Sequence, residues 1–182
     1  CAAEDATESA APAPAPADTP APEPEPAPGP TEEDDGAPAF PLVDFEVFGQ
    51  RITLDARPER IVSLSPSSTE GLFAIGAGPQ VVAVDEYSDF PAEAPTTDLS
   101  GFTPNVEAIV AYDPDLVVVS YDPGDLVASL TATGVPVIEL PAAVTIGDVS
   151  SQLFALGVLT GNLGGARDVV ADLEARIAAA VA

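Results

Sequence analysis

The groups available for chemistry are few in kind. The 182 residues include 30 carboxylates, five arginines, one cysteine and no histidine. Mechanisms that pair serine or cysteine with histidine are closed to such a chain, as are zinc sites built from cysteine and histidine. Gly76-Ala-Gly78 precedes a strand-like run where a dinucleotide loop would follow one, and it lacks the third glycine. No serine elbow or phosphate loop is present, and no two carboxylates are set apart as an acid–base couple. A non-enzyme is expected. What remains suits holding a ligand: Ser65 and Ser67 in Ser65-Pro-Ser-Ser68, and the aromatic residues Tyr87, Phe102 and Tyr121. A net charge of −25 argues against nucleic acid and against electrostatic docking on anionic lipid.

These residues need a frame. Four short apolar runs, 61–64, 81–84, 116–119 and 136–140, are rich in Val and Ile and mostly lack alternation. That is the pattern of strands buried on both faces of a parallel sheet. Helical segments separate them. Ser67-Ser-Thr-Glu70 reads as a capping box for a helix through Ile75. Thr103-Pro104 reads as an N-cap with proline at the first position, for a helix reaching about Tyr112 before Asp113-Pro114. Residues 123–133 form a third helix, closed by Gly134. Thr145 to Thr160 presents Ile146, Val149, Leu153 and Leu156 on one face, with Gly161 behind it. Asn162 caps a last helix carrying Val169 or Val170, Leu173, Ile177 and Val181. Ahead of all these, 45–48 and 51–54 alternate around Gly49-Gln50, as in a type II′ hairpin. The expected fold is α/β: a doubly wound, mostly parallel sheet with an N-terminal hairpin and a long C-terminal helix.

In open α/β sheets ligands bind beyond the carboxyl ends of the strands. Here those ends lead into Ser65-Pro-Ser-Ser68, Asp85-Glu-Tyr87 and Ser120-Tyr121-Asp122, with Phe102 in the loop before the next helix. Backbone N–H groups at the Ser65 turn suit an anion or a ligand carbonyl. Two of the three tyrosines lie at strand exits, and an aromatic rim with few polar groups suits a large, flat, partly apolar ligand. Plainer readings stand beside these: a helix cap for Ser67 and Glu70, loop packing for Tyr87.

The first 42 residues differ in kind. Residues 1–40 hold ten prolines, ten acids and no basic residue. Such composition cannot bury enough apolar surface to offset the entropy of ordering, and the Pro-Ala and Pro-Glu repeats favour extended polyproline II. Residues 1–42 are expected to be a disordered acidic tether, 43–161 one α/β lobe, and 162–182 a separate helix. Cys1 followed by small residues resembles the start of a processed bacterial lipoprotein. That resemblance implies a removed signal peptide, lipid (palmitate) on Cys1, and anchorage at the extracellular face of the cell membrane.

Five phrases carry a wider resemblance: Arg57-Pro-Glu-Arg-Ile-Val-Ser-Leu-Ser-Pro-Ser-Ser-Thr-Glu70, Tyr87-Ser-Asp-Phe-Pro91, Gly101-Phe-Thr-Pro-Asn-Val-Glu-Ala-Ile109, Asp113-Pro-Asp-Leu-Val117 and Gly134-Val-Pro-Val137. In this order they resemble the periplasmic-binding-protein family that delivers cobalamin, haem and ferric siderophores to ABC importers. The resemblance spans about residues 45–182. It implies a monomeric binding protein of two lobes joined by a long helix, here 162–182, with the second lobe outside this sequence. It implies an ABC permease and its ATPase as partners. It also implies ligand contact for Tyr87 and Phe102, and docking on permease arginines for Glu107, a position the helix dipole also favours. All five arginines lie away from the strand exits. A corrinoid or a neutral-to-cationic hydroxamate–iron complex is therefore expected over an anionic catecholate. An extracellular structural or adhesive lipoprotein without a transport role is the alternative.

Overall fold

The computed structural model describes residues 39–181. The expected tether 1–42 and Cys1 lie, apart from residues 39–42, outside the described residues. Within the described part of that span, Phe40 packs against the core, and Leu42, buried, opens the first strand. That strand, β1 (Leu42–Val47), pairs antiparallel with β2 (Gln50–Leu54). The turn between them is Phe48-Gly49, not Gly49-Gln50. Both residues have positive φ, 50° and 73°, the requirement of a type I′ turn rather than II′. Gln50 has another task. Its side-chain amide donates to the Glu139 carbonyl at 2.6 Å and accepts from the Glu139 N–H at 3.0 Å, so it pairs with an open sheet edge.

The main sheet has five parallel strands: β3 (Ile61–Leu64), β4 (Val81–Asp85), β5 (Thr96–Leu99), β6 (Leu116–Val119) and β7 (Val137–Glu139). Their order across the sheet is β5-β4-β3-β6-β7. The chain winds one way from β3 to β5, then crosses back to β6 on the other side. The strand order thus reverses between β3 and β6, the switch point where such sheets open a crevice. Four strands match the apolar runs. β5 does not come from such a run: Thr96-Thr-Asp-Leu99 is an edge strand with one buried residue, held by Thr97 Oγ1 donating to the Val84 carbonyl at 2.7 Å.

Alternate residues of the central strands feed two cores. Ile61, Val84, Leu116, Val118 and Ile138 meet Leu72, Leu156, Leu159 and Val170 on one face. Val62, Leu64, Ala83, Val117 and Val119 meet Ile109, Leu126 and Leu130 on the other. The first face is covered by α1 (Pro66–Ala74), α4 (Ile146–Thr160) and α5 (Leu163–Ala180), the second by α2 (Val106–Val110) and α3 (Leu126–Ala132).

Helix bounds depart from the sequence reading in several places, α3 among them, which starts at Leu126 and not at 123. α1 begins with Ser65 at the N-cap and Pro66 in its first turn, so Ser67 and Glu70 form no capping box. α2 is capped by Asn105, whose Oδ1 accepts from the Ala108 N–H at 3.1 Å, rather than by Thr103. α2 also ends at Val110, short of Tyr112. The box that does form is Thr145–Asp148 on α4, with Gly161 left-handed at its end, as expected. Ile146, assigned to the buried face, is 51% exposed because the first turn of α4 stands clear of the sheet. On α5, Val170 is buried and Val181 is 81% exposed, so only the first half of the helix is packed.

Asn162 holds the N-cap position of α5 but makes no side-chain cap bond. Its amide donates instead to Gln80 Oε1 at 2.7 Å and to the Thr160 carbonyl at 3.0 Å. Buried Gln80 in turn donates to the carbonyls of Pro58 and Thr160. This hub ties the approach to β3 to the α4–α5 corner. Gln80→Ala takes the donor from the buried Pro58 carbonyl and an acceptor from Asn162, and should cost about 1–3 kcal/mol, read as a lower urea midpoint with unchanged slope.

Candidate ligand face at the strand exits

The carboxyl ends of β3, β4, β5 and β6 lie along one edge of a parallel sheet, and each releases a turn there. The turns after β4, β5 and β6 bring Tyr87, Phe102 and Tyr121 together. Tyr87 and Phe102 meet edge to face, with ring centroids 5.6 Å apart and planes at 80°. Phe102 and Tyr121 lie 6.0 Å apart, tilted by 47°. All three rings are solvent-exposed: Tyr87 by 56%, Phe102 by 63% and Tyr121 by 37%. Edge-to-face contacts at these distances are favourable, so the rings hold one another while their outer faces stay free. A shallow cavity of about 260 Å³ lies against them, lined by Leu64, Pro66, Asp85, Gly101 and Ser120 besides the three rings. It straddles the β3/β6 switch point.

The two serines behave differently. Ser65 is buried and Ser67 is exposed; their hydroxyl oxygens lie 3.1 Å apart. Neither lines the cavity, where Leu64 and Pro66 take their place. Glu107 is exposed in the first turn of α2, five residues beyond Phe102.

Two residues that sequence reasoning did not single out form the floor. Asp85 ends β4 and is only 1% exposed. Its carboxylate accepts from the Ser88 hydroxyl, its Oδ2 lies 3.2 Å from where a Cβ on Gly101 would stand, and its backbone carbonyl accepts from the Ser88 N–H at 3.1 Å. Burial pushes the carboxyl above its ordinary value, its contacts with Ser88 and Gly101 pull the other way, and neighbouring Glu86 adds to the rise. Behind Ser88, Thr69 Oγ1 lies 3.1 Å from its hydroxyl and 2.9 Å from Ser63 Oγ, making a buried hydroxyl chain beneath the site. Gly101 is there because nothing larger fits: an added Cβ would lie 2.5 Å from the Leu64 carbonyl oxygen. The only sequence signal for Asp85 was its place as the first polar residue after an apolar run.

A larger hollow, about 540 Å³, lies at the opposite edge among Leu54, Arg57, Asp115 and Pro136. Two of its charged side chains, Arg57 and Asp115, are already committed. Arg57 donates to the Thr160 carbonyl and to Asn162, and Asp115 accepts from the N–H groups of Glu59 and Arg60. Arg60 is committed to the carbonyls of Tyr112 and Asp113. Exposed Arg51 lies beside Glu46 on the hairpin, and Arg167 and Arg176 lie on α5. None of the five arginines falls in an exit turn. No cluster that could hold a metal ion occurs among the described residues.

The doubly wound parallel lobe thus carries an aromatic, cation-free face over its switch point. The chain belongs to the periplasmic binding protein family, whose sequence profile matches residues 61–182. It is 35% identical over 150 residues to a cobalamin-binding protein of Halobacterium salinarum, covering 80% of this chain and 41% of that protein. It is 29% identical over 127 residues to the uncharacterized ABC transporter substrate-binding lipoprotein YvrC of Bacillus subtilis, covering 67% and 40%. Among solved structures, an ABC-type Fe3+-hydroxamate transport system protein from Saccharomonospora viridis superposes with a TM-score of 0.62. It is 28% identical, covering 77% of this chain and 55% of that one. The chain thus spans about two fifths of the curated relatives' length. These relatives carry the names of binding and transport proteins, not of enzymes.

Proposed function

We infer that this chain supplies the ligand-capturing lobe of a substrate-binding lipoprotein serving an ABC importer, and that its ligand is a corrinoid. The observation that carries the reading is the contiguous Tyr87–Phe102–Tyr121 face over the switch point. Aromatic faces with few polar groups bind broad, partly apolar ligands, and the cobalamin-binding relative covers most of the chain. The cavity of about 260 Å³ is below the size of a complete small-molecule pocket, as suits one side of a cleft. A neutral-to-cationic ferric hydroxamate is the second reading, supported by the Saccharomonospora neighbour and the cation-free rim. Ser65 and Ser67 act indirectly in this reading, by shaping the turn that presents Pro66.

Exposed Glu107 offers a carboxylate on the same side as the ligand face, suited to an arginine of the permease, where charge sets orientation and on-rate. Cys1 carries the lipid, residues 1–42 act as spacer, and α5 serves as the helix leading to a partner lobe.

Three experiments test this. In a fluorescence titration of the intact protein, cyanocobalamin should saturate below about 10 μM, a weak affinity. No saturation by cyanocobalamin, haemin or a ferric trihydroxamate at that concentration rejects the reading. Glu107→Ala should leave affinity unchanged and slow uptake in cells; unchanged uptake removes the docking role. Cys1→Ala should shift the protein from the membrane fraction to the medium.

A further inference from the structure

The strand exits contain one group that reaches both aromatic turns from below. Asp85 is buried, yet its carboxylate accepts from the hydroxyl of Ser88, the residue after Tyr87, and its Oδ2 lies against Gly101, the residue before Phe102, 3.2 Å from where a Cβ there would stand. The two backbones that carry the edge-to-face pair thus meet the same carboxylate, one through a hydrogen bond to a neighbouring side chain, the other by close contact. The third support is Gly101 itself, which lies against the Leu64 carbonyl at the exit of β3. The rings have little else to fix them, since each is more than a third exposed. Charge-assisted hydrogen bonds to a buried carboxylate are strong and directional.

We propose that Asp85 is the positioning residue of the ligand face: it sets the Tyr87–Phe102 geometry by clamping the turns after β4 and β5, without touching the ligand itself. The clamp needs hydrogen-bonding groups at this point and does not need the charge. The hydroxyl chain shows why. With a carboxylate, Ser88 donates to Asp85, Thr69 donates to Ser88 or to Ser63, and Ser63 donates to the Ser65 carbonyl 3.4 Å away. With an asparagine whose NH₂ faces Ser88, the Ser88 hydroxyl can turn to Thr69 while Thr69 donates to Ser63 and Ser63 stays on the Ser65 carbonyl. The asparagine oxygen still lies against Gly101. Asp85→Asn therefore preserves the clamp, and Asp85→Ala removes it.

Tyrosine spectroscopy reads this without any ligand. The chain has three tyrosines and no tryptophan, so in a Tyr112→Phe background only Tyr87 and Tyr121 report. The expected result is that Asp85→Asn keeps the near-ultraviolet circular dichroism and acrylamide quenching of its parent, while Asp85→Ala loses the dichroic band and quenches more readily, with far-ultraviolet spectra unchanged. The consequence for binding rests on the corrinoid reading above. Affinity for cyanocobalamin should fall about tenfold or more in Asp85→Ala, the scale of one lost charge-assisted bond, and less than about threefold in Asp85→Asn. A band and affinity untouched in Asp85→Ala overturn the proposal. So does an asparagine variant that fails as badly as alanine, which would make the charge itself the active feature. If Asp85→Ala does not fold, Ser88→Ala decides the matter: it keeps the Gly101 arm and should loosen Tyr87 alone, and an unchanged tyrosine spectrum overturns the clamp. If the parent binds none of the probes, the corrinoid reading fails while the spectra still judge Asp85.

Discussion

Phe102→Ala is expected to weaken corrinoid capture by about thirtyfold or more, a loss of about 2 kcal/mol typical of an aromatic anchor at the centre of a contact surface. Phe102 is the middle ring, in contact with Tyr87 on one side and Tyr121 on the other. Its removal takes away one face and releases its two neighbours. The fold should not suffer, because the side chain is 63% exposed and belongs to neither core; exposed substitutions usually stay within about 0.5 kcal/mol. Isothermal titration beside a thermal melt checks both halves. Phe102→Leu should fall between wild type and alanine, since it keeps apolar contact and loses the ring. An alanine variant that binds normally would mean the ligand rests elsewhere.

The second large effect is on stability. Gly165 lies in the first turn of α5, where an added Cβ would sit 2.1 Å from the Ile75 carbonyl oxygen and 2.8 Å from its carbon. Backbone stands in the way, so no side-chain rotation relieves the clash. Gly165→Ala must push α5 off the end of α1, opening the core where Ala166 and Val170 are buried. Overpacking costs about 1–3 kcal/mol, and a backbone clash belongs at the upper end. Gly147, in the first turn of α4, makes the control: its nearest neighbour to an added Cβ is Thr145 Oγ1 at 3.5 Å. Alanine there should leave stability unchanged or raise it by up to about 1 kcal/mol, since glycine is a poor helix former. Urea denaturation of both variants gives opposite signs if packing, not helix propensity, explains Gly165.

The strands that proved legible are those whose burial is two-sided. Ile61–Leu64 and Leu116–Val119 are buried at every position, and that leaves an unbroken apolar run in the sequence. β5 hides for the opposite reason. An edge strand buries one residue in four here, and its adhesion comes from threonine hydroxyls rather than from apolar area. The bounds of α4 were legible, with Thr145 before it and Gly161 behind it, whereas the Asn162 cap was misread because tertiary bonds claim that side chain. At the site, Tyr87, Phe102 and Tyr121 could be found because strand ends fix where side chains emerge. Asp85 could not: one carboxylate among 30 carries no mark of burial, and its partners Ser88 and Gly101 lie on different turns. Gly101 is likewise defined by the Leu64 carbonyl, 37 residues away in sequence.

Hydrogen-exchange mass spectrometry of the intact protein with and without cyanocobalamin addresses the ligand face most directly. Protection should gather in the turns around 64–67, 85–88, 100–103 and 120–122, and the opposite edge around 53–57 and 114–115 should exchange as before. Slowed exchange at that opposite edge, with the four exit turns unchanged, would contradict it.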